Sequence, residues 1–343
     1  MNSLTRREMI AGCVVTGCGC LAGSTIANAQ GRKMIASQNI GAITHKQSFG
    51  QIEKLGDGVY AFVSTPFTKD GKIGDMTTHS NGGLIAGKDG VLAFDAYRTP
   101  QGAAWVAQVS QELFGKRPTH IACSHFHFDH IGGLGGFFHE GDLPEIIMTQ
   151  TTYQLALDHY AKVIASKNNP AYGQHALQPW GGSFVSPTKI VLNESETFTL
   201  DLGGCIVRFV PKRGHTGSDL AIEVDDPAIT FGGDLIWNGI FPNFMSATPS
   251  LYRQSVEELL ARKSAIVVAG HGPAAKADSI ALTSYAELHA LIEDKARAAY
   301  VSGIGLDAAV ASFQIPDRLG YWKYFKPGFH KVAFRAWYKE LSA

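Results

Sequence analysis

The sequence has no excess of either charge: 30 basic side chains stand against 30 acidic ones, a formal net charge of zero at pH 7. No long run of one sign occurs that would track a polyphosphate backbone or grip an anionic membrane, which argues against nucleic acid as a partner. Beyond residue 29 no apolar run approaches the roughly 20 residues needed to cross a bilayer core, so no transmembrane helix is expected in the mature chain. No short-period repeat of the solenoid kind is present. Cysteine is scarce as well, five in all, and three of them (Cys13, Cys18 and Cys20) fall in the first 20 residues. The other two, Cys123 and Cys205, lie in apolar strand-like runs where a buried unpaired thiol is the commoner state, so no disulfide is expected. What is present, 45% hydrophobic and 17% charged residues in a chain of 343, excludes disorder and coiled coil and allows a large core.

The start of the chain has the order of an export signal. Thr5-Arg6-Arg7-Glu8-Met9-Ile10 puts paired arginines before an uncharged stretch from Met9 to Gly23, and Ala27-Asn28-Ala29 supplies small residues for cleavage. The arginine pair with a weakly apolar stretch resembles a twin-arginine signal, which implies a periplasmic or secreted protein cut after Ala29. Val15-Thr16-Gly17-Cys18 also resembles a lipobox, whose alternative product is a lipoprotein anchored at Cys18. The domain reading is 1–29 signal, 30–50 N-terminal extension, 51–303 a single large domain, and 304–343 a C-terminal helical segment.

From residue 51 short strands alternate with turns: Gly58–Val63, Gly83–Ala86 and Gly90–Asp95, the last two joined by the hairpin residues Gly87-Lys88-Asp89. A helix is expected over Pro100–Phe114, stopped by Gly115, and then a buried strand over Thr119–Ser124. The second part repeats the mixture with strands at Lys189–Leu192, Cys205–Val210, Leu220–Val224, Ala228–Phe231 and Ala265–Val268. Helices are expected near Tyr252–Lys263 and from about Ala274 to Tyr300, and residues 167–187 read as a long loop. Two halves of strands with interleaved helices predict an α+β chain of αββα type: two facing mixed sheets with helices outside.

The chemistry is concentrated where the Thr119–Ser124 strand stops. His125-Phe126-His127-Phe128-Asp129-His130 places four imidazole or carboxylate groups within six residues, donors suited to zinc and related divalent ions. In an extended segment His125 and His127 share one side and can grip one ion. Where the chain turns, Asp129 and His130 can address a neighbouring position, and the glycines that follow keep the loop compact.

This run resembles the HxHxDH motif of the metallo-β-lactamase superfamily, and the other segments of that pattern follow in order. Lys212-Arg213-Gly214-His215-Thr216-Gly217-Ser218 resembles the next histidine segment, Phe231-Gly232-Gly233-Asp234 the strand-end aspartate segment, and Gly270-His271-Gly272 the last histidine segment. The resemblance, over residues 51–273, implies two Zn2+ per chain. His125, His127 and His215 would hold the first, Asp129, His130 and His271 the second, and Asp234 would bridge them. It also implies that Asp129 orients a hydroxide formed from water made acidic by the two cations, and that Asp95 supports the ligand loops through hydrogen bonds without touching metal.

The activity so implied is hydrolysis of an ester, lactone, thioester or amide carbonyl of a small molecule. Asp234 stands where dedicated class B β-lactamases usually carry cysteine or serine, which favours glyoxalase II-like or lactonase-type relatives. The alternatives are a β-lactamase-like amide hydrolase, a mononuclear iron sulfur dioxygenase, and a non-catalytic periplasmic metal-binding or relay protein. His79 either lines the cleft or is structural, and Trp237, Phe241 and Phe244 either form an apolar substrate wall or pack in the core. His45, His120, His139, His159, His175, His289 and His330 receive no role.

Overall fold

The protein is described from a computed structural model covering residues 40–139, 143–165, 193–262 and 264–343. The export signal with its Cys18 alternative, the 167–187 loop and the strand expected at Lys189–Leu192 lie outside the described residues.

Two sheets form. The first contains β1 (Ala42–Gln47), β2 (Gly50–Gly56), β3 (Val59–Ser64), β4 (Gly82–Ala86), β5 (Val91–Phe94), β6 (His120–Ala122) and β7 (Glu145–Ile147), side by side in chain order. Its first five strands are an antiparallel meander, and β6 and β7 continue it in parallel. The second sheet holds β8 (Phe198–Asp201), β9 (Ile206–Lys212), β10 (Asp219–Asp225), β11 (Ala228–Phe231), β12 (Ile266–Val268) and β13 (Ala275–Lys276), in the order β13-β12-β11-β10-β9-β8. Only β11 and β12 run parallel there.

Residue alternation explains why the sheets stack. Along β3, Val59, Ala61 and Val63 face the second sheet, where they meet Val207, Phe209, Ile222 and Phe231. Tyr60 and Phe62 point the other way, toward Val106 and Val109 of α1 (Pro100–Phe114). Strand β5 repeats this, with Leu92 and Phe94 inside the sandwich and Val91 and Ala93 toward the helix. The outer face of the second sheet is covered by α4 (Pro249–Leu260), α5 (Ile280–Val301), α6 (Leu306–Ser312) and α7 (Phe329–Leu341), with Tyr252, Tyr285, Ile292, Phe334 and Trp337 buried between them. Each such side chain stabilises the fold by about 1.5–3 kcal/mol through burial. The architecture is the expected αββα sandwich. No helix among the described residues is long and apolar enough to cross a membrane.

Helix limits follow local chemistry. Thr99 caps α1 by accepting from the Gly102 N–H, and Gly115 closes it in the left-handed conformation at φ 68°. The helix expected from Ala274 starts later. Ala275 and Lys276 instead pair with Val267 and Ile266, extending the sheet beyond β12, and Ser279 then caps α5. The helix expected near Tyr252 starts earlier, because Pro249 occupies its first turn, and it ends at Leu260.

His289 of α5 carries a testable consequence. It is 2% exposed among Tyr252, Tyr285 and Phe244, and burial, with Arg253 nearby, pushes its imidazole down to about 3. The unfolded chain therefore binds a proton that the folded one refuses. The stabilising effect of neutrality is complete above the unfolded value near 6.5 and is lost as pH falls toward 3. His289→Leu is expected to reduce the acid-side loss by about 3 kcal/mol at pH 4. Urea unfolding of metal-free protein at pH 7 and pH 4 measures it, and equal losses in variant and wild type would refute it.

Candidate metal centre

The motif segments converge at one edge of the sandwich. After β6 the chain bends at His125 and Phe126, is extended again at His127, and then turns into α2 (Phe128–Ile131), which carries Asp129 and His130 in its single turn. His215 lies in the β9–β10 connection, Asp234 in a 3-10 turn (Gly233–Leu235) after β11, and His271 beyond β12. Strand ends thus deliver every one of these side chains to the same place.

Two adjoining nests result. In the first, His127 Nδ1 is 3.0 Å from His215 Nε2, while Asp234 Oδ2 is 3.2 Å from His215 Nε2 and 3.8 Å from His125 Nε2. In the second, Asp234 Oδ1 lies 3.0 Å from His130 Nε2 and 3.2 Å from His271 Nε2. Asp129 Oδ2 is 3.3 Å from His271 Nε2 and 3.8 Å from His130 Nε2. Donors held about 2.0–2.2 Å from a tetrahedral zinc lie about 3.4 Å from one another, so these spacings match shared ions. Buried Nε2 atoms of His125, His130 and His271 lack hydrogen-bond partners among the described residues, as does Asp234 Oδ1. Orphaned buried polar atoms cost about 1–3 kcal/mol each, and a cation in each nest would satisfy all four. The residues present fit a pair of divalent metals. Asp129 also enters a grouping with His79 and His271, a neighbour absent from the sequence-derived set.

A second ring of contacts fixes which nitrogen faces inward. Asp95, fully buried with φ 63°, accepts from the Ser124 N–H at 2.7 Å, the Ser124 hydroxyl at 3.0 Å and His130 Nδ1 at 2.8 Å. His130 Nε2 is thereby left for the nest. His125 Nδ1 donates to Ser124 Oγ and His271 Nδ1 to the His79 carbonyl, with the same effect. The backbone carbonyl of Asp234 accepts from the Trp237 indole and the Tyr252 hydroxyl, anchoring its turn. At Gly270 a Cβ would lie 2.2 Å from Asp234 Oδ1 and 2.6 Å from the Gly233 backbone. Gly270→Ala is therefore expected to displace the Asp234 carboxylate and lower metal content to one ion or fewer per chain. Metal analysis after gel filtration checks this, and two retained ions would refute it.

The electrostatics divide between the nests. Burial drives His125 well below its usual value, and His130 and His127 beside it add to the effect. Burial and His215 take His127 down to about 3. Burial would also lower His130 and His271, but the Asp234 carboxylate, joined by Asp95 at His130 and Asp129 at His271, wins. His130 is raised well above the usual imidazole range and His271 is pushed up to about 9. Against their own burial, Asp129 is held well below the carboxylate range by His79 first and His130 next, and Asp234 by His271, His130 and His215. His125 and His127 of the first nest are thus neutral, whereas the second nest carries protons below about pH 9 that a cation must displace. Metal uptake at pH 7 is expected to release protons, measurable by calorimetry in buffers of different ionisation enthalpy, and buffer-independent heats would contradict it.

Beside the nests opens a cleft of about 530 Å³. Trp237 lines it and lies over His271 with ring centroids 4.1 Å apart. Phe241 and Phe244 do not line it: both are fully buried among the outer helices, so of the three aromatics only Trp237 reaches the cleft. Further lining residues carry no motif. Phe325, Lys326 and Phe329 arrive from the C-terminal segment, Arg98 follows β5, and His159 extends from α3 (Gln150–Ala165). Phe325 packs on His79, His271 and Trp237. Cys123 and Cys205 are both free thiols, Cys123 buried and Cys205 half-buried.

A two-sheet sandwich with helices outside and a nest of buried imidazoles and carboxylates at its edge is the architecture of a metal-dependent enzyme. The chain belongs to the metallo-beta-lactamase superfamily, whose family model matches residues 78–271. Among solved structures it is similar to the stereoselective inverting sec-alkylsulfatase Pisa1 from a Pseudomonas species, with 15% identity and a TM-score of 0.63, over 84% of this chain and 49% of that one. The chain thus spans about half the length of that alkylsulfatase. A metallo-beta-lactamase from Pontibacter korlensis is 17% identical with a TM-score of 0.53, over 70% of this chain and 98% of that one. One from Hirschia baltica is 21% identical with a TM-score of 0.52, over 70% and 97% respectively. At these identities the likenesses describe the fold.

Proposed function

We propose that this protein is a binuclear zinc-dependent hydrolase that attacks the carbonyl of an ester, lactone, thioester or amide, acting in the periplasm or outside the cell after twin-arginine export. The observation that carries this reading is the Asp234 carboxylate, which turns one oxygen toward each nest. Two zinc ions held there would supply Lewis acidity and lower the pKa of water toward neutrality. His125, His127 and His215 would hold one ion, Asp129, His130 and His271 the other, and Asp234 both. Asp129, part-exposed at the cleft wall, orients the attacking water through its carboxylate. Trp237 and Phe325 exclude bulk water from the nest, and Arg98 and Lys326 bring positive charge to the same cleft.

Metal analysis of the mature protein, joined to a hydrolysis screen over lactones, thioesters, β-lactams, sulfate esters and phosphodiesters, tests the reading. Two zincs per chain and turnover of an acyl substrate are expected. One metal per chain, or iron alone, would overturn the binuclear zinc centre. Two bound zincs with no turnover anywhere in the screen would leave a metal-binding protein without hydrolase activity.

A further inference from the structure

His79 stands against the second nest although no motif of the ligand pattern includes it. Its backbone lies in the left-handed region at φ 62°, a conformation uncommon outside glycine but one in which histidine, like asparagine, is enriched. Segment 78–82 is held there from both sides. Asn81 donates its N–H to the Gly270 carbonyl at 2.7 Å and its amide to the carbonyls of Ala269 and Gly272 at 2.8 and 2.5 Å. Ser80 donates to the Asp129 carbonyl, and the His79 carbonyl receives His271 Nδ1. These bonds join the segment to the two loops that bear Asp129 and His271.

The imidazole so presented has His79 Nδ1 3.0 Å from Asp129 Oδ2, its ring centroid 5.0 Å from that of His271, and Phe325 against its edge. His79, Asp129 and His271 bring one donor atom each within 4.8 Å of one another, as do His130, Asp234 and His271. The two groupings share His271. The Nε2 of His79 is buried with no hydrogen-bond partner among the described residues, so the ring has no second polar attachment to account for its placement.

We propose that His79 is an additional ligand of the second metal through Nδ1, giving that site three imidazoles besides Asp129 and Asp234; this rests on the binuclear reading above. Cis ligands of one ion sit at the 3.0 Å that separates His79 Nδ1 from Asp129 Oδ2. An imidazole held at that point by a segment tied to both ligand loops is explained by a metal bond more fully than by a single hydrogen bond to a carboxylate that His271 also contacts.

The test uses the mature protein with His79→Asn and His79→Gly, both of which accept the left-handed backbone. Metal-free wild type and variants are titrated with zinc against a chromogenic chelator, and the dizinc forms are compared by X-ray absorption. The expected result is an unchanged first equivalent, a second equivalent weakened at least about tenfold in both variants, and one imidazole fewer per zinc pair. An unchanged imidazole count, whatever the affinity, would overturn the ligand assignment and leave His79 as a hydrogen-bonding support. Wild type that binds a single equivalent would overturn the binuclear reading itself. Wild type with two ions and variants identical to it would overturn only the role of His79.

Discussion

Asp234→Ala is expected to yield a folded protein that holds neither metal tightly and turns over substrate at least about a thousandfold more slowly, beyond the usual 10²–10³ for one lost stabilising donor. The size of the effect follows from where its two oxygens point. Oδ1 meets His130 and His271, Oδ2 meets His215 and His125, and the side chain is 4% exposed, so no neighbouring group or bulk water replaces it. Its loss also removes the strongest attraction that holds protons on His130 and His271. The fold should survive, because Trp237 and Tyr252 bind the backbone carbonyl of this residue and not its carboxylate. Metal content, circular dichroism and kcat/KM together decide the matter. Two tightly held ions in the variant would contradict the bridging geometry.

Asp95→Ala should act through the fold first and the metal second. The carboxylate is fully buried and takes three hydrogen bonds, from the Ser124 backbone, the Ser124 hydroxyl and His130 Nδ1. Removing it strands a charged or donating imidazole without its partner, at a cost of about 3–5 kcal/mol. Alanine also fits the φ of 63° poorly. Metal affinity should drop about 10–100-fold as His130 loses its orientation. Asp95→Asn keeps the shape and the backbone tolerance, so its loss of stability should be smaller. Equal melting temperatures for wild type and Asp95→Ala would show that the buried network is not what holds this corner.

The parts of the centre that could be read from sequence are those whose geometry is local. The pairing of His125 with His127 and the turn that carries Asp129 and His130 are set within six residues, by a bend after a strand end and one helical turn, although the even alternation expected of an extended segment gives way to a bend at His125 and Phe126. The alternation Val59–Phe62 and the Pro and Gly limits of α1 are local in the same sense. What escaped depends on distant partners. The position of His79 is imposed by Asn81 reaching residues 269–272, and the lining by Phe325 and Lys326 depends on how the C-terminal helices fold back over the second sheet. The late start of α5 depends on β12 accepting another strand, which no propensity within 274–279 encodes. Phe241 and Phe244 have the same composition signal as Trp237, and only the packing of α4 and α5 separates core from cleft.

The stitches made by Asn81 also set an order of events. Its amide closes contacts to carbonyls 188 and 191 positions further along, among the longest loops the chain has to close, and such contacts form late because the entropy of closure precedes their reward. A nascent chain that has not yet released Gly272 therefore lacks both His271 and the clasp that steadies the loop opposite it. The second nest is therefore expected to take up metal only once residues 269–272 are in place, whereas fragments ending before that point keep the donors of the first nest but lack His271.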